Sequence, residues 1–406
     1  MRRVTYVLSL IFIFLIPWED MISTSGWGSL ARVMGLVLAA CWLITILIQG
    51  HFRKPHIYHF LVLLFFLWNF LSVYWSLDAT GTIQRITTYS QIFLFVLVFW
   101  EVFQSPGELK GGLQAFILGA YVLIISTFIN YANGTVAVAY ESRYSATGVN
   151  AVDMALALIL GLPMALHLFL NHGRGAGNTI LRFVNLAYMP MAIFAVLLTG
   201  SRTSLLAAIP FFAYIALTPE IKLQRRILTF VILLVVMLVF LPLIPQAVIS
   251  RLGTTGASIA GEDLGGRVAL WRQAVEILAQ HPLLGVGGGT LDPLIGSAAH
   301  NTYVSIATET GFIGFILFFS IIAVAVYQAI RSPEKHAALW IAVLATWAIG
   351  VLSLSWEFRK LTWLILTLVV VAGSIEVAPQ TEAIPAPQDG APDLQLAQPL
   401  ANPEEA

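Results

Sequence analysis

Hydrophobic and polar positions along this chain fall into long blocks. Apolar runs of about 18 residues or more recur, with the charges gathered between them, which is the pattern of transmembrane helices. Twelve spans are predicted, at roughly 4–20, 30–49, 57–75, 86–103, 112–131, 151–170, 180–199, 203–218, 227–245, 302–329, 337–354 and 359–375. The expected fold class is an all-α integral membrane protein with about 12 transmembrane helices. The first run follows Met1-Arg-Arg and ends at Ile16. Pro17-Trp-Glu-Asp behind it is not a small-residue cleavage site, so it is expected to stay as a first span rather than be removed as a signal peptide.

One connection is long, and it divides the chain. Residues 1–245 carry spans one to nine, 246–301 form an extended loop, 302–375 carry spans ten to twelve, and 376–406 form a tail. Within the loop, GGRVALWRQAVEILAQHP places Val268, Trp271, Val275 and Leu278 at helical spacing. This predicts an amphipathic helix on the membrane surface or over a cavity, stopped near Pro282. LLGVGGGTLDP after it is expected to be a flexible glycine-rich turn leading to His300. The tail is rich in Pro, Ala, Gln and acids and is expected to be a disordered cytoplasmic extension.

Composition agrees with the pattern. The 406 residues are 58% hydrophobic and 10% charged, with a mean hydropathy of +0.85. The net charge is zero, so nothing suggests nucleic acid. The single cysteine, Cys41, lies in an apolar run and allows no intramolecular disulfide. With both termini inside, the inner loops hold 12 Lys and Arg residues and the outer side nine, a modest positive-inside bias. The outer set is Arg32, Arg85, Arg143, Arg202, Arg251, Arg267, Arg272, Arg359 and Lys360. Outer arginines work against topology and need another reason, and a guanidinium fork matches phosphate oxygens as lysine cannot.

Candidate chemistry gathers at the outer ends of the spans. His300 and Asn301 close the long loop at the mouth of span ten. Continued as a helix, His300, Tyr303, Val304, Ala307, Gly311 and Gly314 share one face, poor in bulk, against which another helix or a lipid chain can lie. Glu309 points the other way. Gly200-Ser-Arg-Thr-Ser sets Arg202 between two apolar runs, either facing a cavity or snorkelling to the headgroups, and Ser201, Thr203 and Ser204 make its surroundings polar. Arg267, behind Gly265-Gly266 at a helix start, suits an anion, because free backbone N–H groups add to its charge. Arg272 lies about 140° around the same helix. Either of the two can instead belong to a solvated loop helix. Arg143 precedes span six, where Asn150 and Asp153 suit helix capping.

No DxD-type acidic pair, HExxH or Cys/His cluster is present, so neither a metal nor another cofactor is expected. GxSxG and P-loop motifs are also missing. Intramembrane acids are few, which speaks against a proton-driven transporter.

Taken together, these motifs resemble the O-antigen ligase/Wzy-C polymerase superfamily of bacterial membrane glycosyltransferases. The resemblance rests on His300-Asn301 followed by Gly311-Phe-Ile-Gly314, and on Gly200-Ser-Arg202-Thr-Ser204. Gly266-Arg267, Trp271, His281-Pro282-Leu-Leu-Gly285-Val-Gly287 and Arg143-Tyr with Gly148 add to it, in the expected order over about residues 70–375. The resemblance implies a glycosyltransferase C-type enzyme of the bacterial inner membrane, working at the periplasmic face without a metal. Its donor would be an undecaprenyl-diphosphate-linked glycan, with membrane lipids around it and no nucleic acid. In that setting Arg202, Arg267 and Arg143 are expected to bind the donor diphosphate, and His300 to act as catalytic base in an inverting displacement. Arg272, Asn301, Tyr303 and Ser201 are candidates for support.

Within the superfamily, a ligase uses lipid A–core as acceptor, a polymerase another lipid-linked repeat unit, and a protein-glycosylating relative a Ser or Thr side chain. One dominant outer loop and a compact length resemble the ligase. Polymerases often have two prominent outer loops, and protein-targeting relatives an added outer domain. A transporter of lipid-linked sugars is the alternative from another class, and a non-enzymatic scaffold would not require the arginine placement.

Overall fold

The structure is a computed structural model that describes residues 1–24, 28–137, 143–171, 175–218, 221–253 and 266–375. The expected tail, Gly265 and Arg174 lie outside the described residues. The helices are α1 (Arg2–Leu15), α2 (Leu30–Gln49), α3 (Ile57–Leu71), α4 (Ala79–Val102), α5 (Pro106–Ala132), α6 (Ala151–Asn171), α7 (Ala176–Thr199), α8 (Arg202–Ala207), α9 (Ile209–Leu217), α10 (Leu223–Phe240) and α11 (Gln246–Gly253). They continue as α12 (Arg267–Gln280), α13 (Leu291–Ile295), α14 (Thr302–Arg331), α15 (Glu334–Gly350) and α16 (Lys360–Ser374). Two short strands, Ser23–Thr24 and Gly28–Ser29, pair antiparallel beside α2.

Among the described residues ten helices are long and apolar enough to cross a membrane. Two shorter apolar ones, Arg202–Leu217 and Lys360–Ser374, stand where spans eight and twelve are expected. The first of these is broken between α8 and α9. Pro210 causes the break, because its ring displaces the carbonyl four residues back and offers no N–H. Helix α6 runs through the middle and is buried almost all round from Met154 to Leu168, and α16 is buried similarly. By contrast none of the described side chains of α10 is buried, as on a lipid-facing helix.

Contacts between loops sort by end. At the predicted outer end Arg359 pairs with Asp20 (2.8 Å) and Asp153 (3.8 Å), and Thr302 Oγ1 donates to the Leu354 carbonyl (2.8 Å). At the other end Arg2 pairs with Glu108 (2.8 Å), and the Arg53 N–H donates to Glu101 (2.7 Å). These pairings are the ones that alternating spans require.

The chain folds back on itself at Gly311. Its φ of 64° and ψ of −173° belong to a region that side chains other than hydrogen essentially do not enter, and α14 breaks there. The segment after α12 fills the break. Val286 N–H donates to the Thr308 carbonyl (3.1 Å), Gly287 N–H to that of Glu309 (2.9 Å) and the Trp68 indole to that of Thr310 (2.9 Å). In return Phe312 N–H donates to the Pro282 carbonyl (2.9 Å). The broken ladder is thus satisfied by chain from outside the helix.

Two expectations are corrected here. The glycine-rich segment is not a flexible turn, because Gly285, Val286, Gly287 and Gly288 are buried between α14 and the α3–α4 connection. The bulk-poor face of α14 does not receive a lipid chain at Gly311. A Cβ there would stand 2.6 Å from Gly285 N and closer still to the Leu283 carbonyl, so the protein's own backbone fills the space. Helix α12 forms as expected but in a different register: Ala274 is buried and Val275 is 56% exposed. Ala274 packs with Leu291 and Ala299, and its carbonyl accepts from Thr308 Oγ1 (3.3 Å).

Candidate active site

His300 is gripped on both sides in sequence. Before it, Ala299 is fully buried and its carbonyl accepts the Trp271 indole N–H (2.8 Å), while its N–H donates to the Asp292 carboxylate. After it, the Asn301 side chain caps α14, accepting from the N–H groups of Tyr303 (3.0 Å) and Val304 (3.2 Å). Between them His300 takes φ 49°, the only positive value on a non-glycine residue among the described residues. That left-handed conformation costs about 1–2 kcal/mol and is held by the contacts around it.

The half-buried imidazole has a depressed pKa. Burial is the main cause and Arg267 adds to it, while Asp153 and Asp292 oppose it. The ring is therefore neutral near pH 7 and able to accept a proton.

The arginines come together from three separate stretches. Arg143 is buried where its segment lies against the end of α7: its Nε donates to the Thr199 carbonyl (2.6 Å), and Tyr144 N–H to that of Leu198 (3.1 Å). Gly200 ends α7 at φ 59°, a left-handed conformation that glycine takes without strain. Ser201 then caps α8, accepting from Ser204 N–H (3.4 Å). Arg202 donates from Nε (3.0 Å) and Nη2 (2.7 Å) to the Arg251 carbonyl near the end of α11. Arg267, at the start of α12, is pushed below the usual guanidinium range by burial first, then by Arg143 and Arg251. Arg143, Arg251 and Arg267 thus crowd together, and the last lies beside His300.

The other candidates are spread out. Arg272 is exposed on α12. Tyr303 donates its hydroxyl to the Ala348 carbonyl (3.0 Å), tying α14 to α15. Three outer cations are already neutralised. Arg85 lies between Glu357 (3.1 Å) and Glu309 (3.9 Å), Arg359 holds Asp20 and Asp153, and Lys360 holds Glu19. For these the reason to be outside is an acid of the same chain, not a phosphate.

Asp292 joins the site without having been singled out in the sequence, where Arg251 stands only among the outer cations and Asp153 only as a helix cap. A basic residue near a helix C-terminus suggests capping alone, and Asp-Pro suggests a turn. Asn150 does cap α6, accepting from Val152 N–H (2.8 Å), whereas Asp153 accepts the Trp356 indole and faces Arg359.

A partly buried cluster of three arginines beside a neutral histidine suits a polyanion whose neighbour loses a proton. The chain matches none of the curated proteins. Residues 187–319 match the family described as Wzy_C: O-Antigen ligase, a stretch that contains Arg202, Arg251, Arg267 and His300 but not Arg143. That match, over about a third of the chain, supports membership of the O-antigen ligase/Wzy-C superfamily.

Proposed function

We propose that this protein is an O-antigen ligase. It would move a glycan from undecaprenyl diphosphate to a sugar hydroxyl of lipid A–core at the periplasmic face of the bacterial inner membrane, with both termini cytoplasmic. The observation that carries the reading is the crowding of Arg143, Arg251 and Arg267 next to His300. Guanidinium groups gathered from three stretches can offer several charge-assisted donors to one polyanion. A diphosphate on a lipid anchor is the anion that this superfamily suggests.

In the proposed reaction His300 accepts the proton of the acceptor hydroxyl. The oxygen attacks the anomeric carbon from the side opposite the diphosphate and forms the new glycosidic bond. The bond from that carbon to the diphosphate oxygen breaks, and its electron pair leaves with the diphosphate. Arg267, Arg143 and Arg251 stabilise the charge that builds there, a task other enzymes give to a metal ion. Arg202, bonded to the Arg251 carbonyl, holds the end of α11 in place. Asp292 and Asp153 restore part of the basicity that burial and Arg267 take from His300.

The test is a transfer assay with purified protein, an undecaprenyl-diphosphate glycan and lipid A–core in detergent with EDTA, with His300→Ala in parallel. Glycan on lipid A–core that survives EDTA and is lost in the variant is expected. Lengthening of the lipid-linked glycan would instead make the protein a polymerase. No transfer by folded protein would favour transport of lipid-linked sugars.

A further inference from the structure

At the far end of α5 from the arginine cluster, a groove of about 530 Å³ opens between α1, α5 and α7. Its wall is apolar, with Leu10, Phe14, Leu118 and Leu181, and its mouth is polar, with Lys110 and Asn178. From Lys110 to Leu118 the groove follows α5 for about 12 Å. Gly111 lets α1 lie close against α5 beside the groove, because a Cβ there would strike the Tyr6 hydroxyl.

The polar groups at the mouth are not equivalent. The Gln114 amide is committed to Asn185 in both directions, at 3.1 and 2.8 Å. Arg2 is taken by Glu108, whose second oxygen accepts the N–H groups of Gln104 and Ser105. Lys110 differs. Its ammonium donates to the Asn171 carbonyl (3.3 Å), and no carboxylate among the described residues pairs with it. A cation with donors to spare therefore stands above an apolar channel that opens sideways along membrane-length helices.

We infer that this groove holds one anionic glycerophospholipid, with its phosphate on Lys110 and one acyl chain along Leu10, Phe14 and Leu118. Charge complementarity selects the headgroup, since a basic pocket between helices takes lipid phosphate where a zwitterionic headgroup gains less. The apolar wall selects the chain. The inference is independent of the transferase reading, because the groove shares no residue with the arginine cluster.

The full-length protein, purified in detergent, is exchanged into mixed micelles of phosphatidylglycerol and phosphatidylcholine with matched chains. Retained lipid is counted by native mass spectrometry. One phosphatidylglycerol held in preference to phosphatidylcholine is expected. Lys110→Gln should cut that preference about fivefold at an unchanged melting temperature. Leu118→Trp, which fills the channel from a partly exposed position, should release both lipids. Equal retention of the two lipids by the unaltered protein, an unchanged preference in Lys110→Gln, or full retention in Leu118→Trp would each overturn the inference.

Discussion

Gly285 and Gly311 meet backbone to backbone. A Cβ on Gly285 would lie 2.5 Å from Gly311 N, and one on Gly311 would lie 2.6 Å from Gly285 N. Both have positive φ, 68° and 64°. This contact joins the loop that ends α12 to the helix that begins just after His300, so the positions of Arg267 and His300 depend on it.

Alanine at either glycine should therefore lower stability by roughly 2–5 kcal/mol, combining left-handed strain with overpacking. Gly296 is the control: its φ is 74°, but nothing stands within 4 Å of its added Cβ. Gly296→Ala should cost only the strain, about 1–2 kcal/mol. Thermal unfolding of the three variants checks this, and equal losses would argue against a packed contact.

The pH dependence of transfer should report His300. A base works unprotonated, so activity falls as pH drops through its pKa, and burial with Arg267 places that limb below 6.5. Arg267→Gln removes an opposing cation and should move the limb up. Asp292→Asn removes a supporting carboxylate and should move it down. Profiles of kcat/KM against pH decide the matter, and a limb that stays put in both variants would remove His300 from the role.

The arginine cluster should bind the donor. Arg251→Gln removes part of its charge and donors, and kcat/KM should drop about 10–100-fold. Inorganic pyrophosphate should raise the melting temperature of the unaltered protein more than that of the variant. Arg272→Gln, at an exposed position, should change neither.

Arg85 and its two acids form a separate electrostatic unit. Arg85→Met would leave Glu309 and Glu357 buried without their cation and should cost about 3–5 kcal/mol. Glu357 is held above the usual carboxylate range, at about 7, chiefly by burial, and its Oε2 has no hydrogen-bond partner among the described residues. A raised folded-state pKa gives stability that is present below 4.5 and lost as pH rises through about 7. Melting temperatures should fall across that window, and Glu357→Gln should flatten the fall.

Much of the fold could be read in the chain, because long apolar blocks answer to one strong force. The ten long helices and the two shorter ones lie at the expected positions. What could not be read depends on which residues meet across the sequence. Gly285, Gly287 and Gly311 suggest looseness when read locally, yet they allow close contact of two backbones. Arg85 and Arg359 look like spare outer cations until Glu309, Glu357, Asp20 and Asp153 are brought to them. Arg251 comes beside Arg267 only once α11 is folded against the start of α8, where Arg202 donates to the Arg251 carbonyl.

The break at Gly311 also sets a level. From Phe312 to Arg331, about 20 residues at 1.5 Å each give about 30 Å, the thickness of a hydrocarbon core. The lower piece of α14 is long enough to span that core alone. Thr302–Thr310 then fold back beside it, since the Tyr303 ring lies 5.7 Å from that of Phe319 and its hydroxyl meets the Ala348 carbonyl. On the proposed reading the chemistry therefore takes place at the outer end of that span, in a recess beside it into which the diphosphate end of a lipid-linked donor settles without leaving its leaflet. An acceptor anchored in the same leaflet can reach it by lateral diffusion.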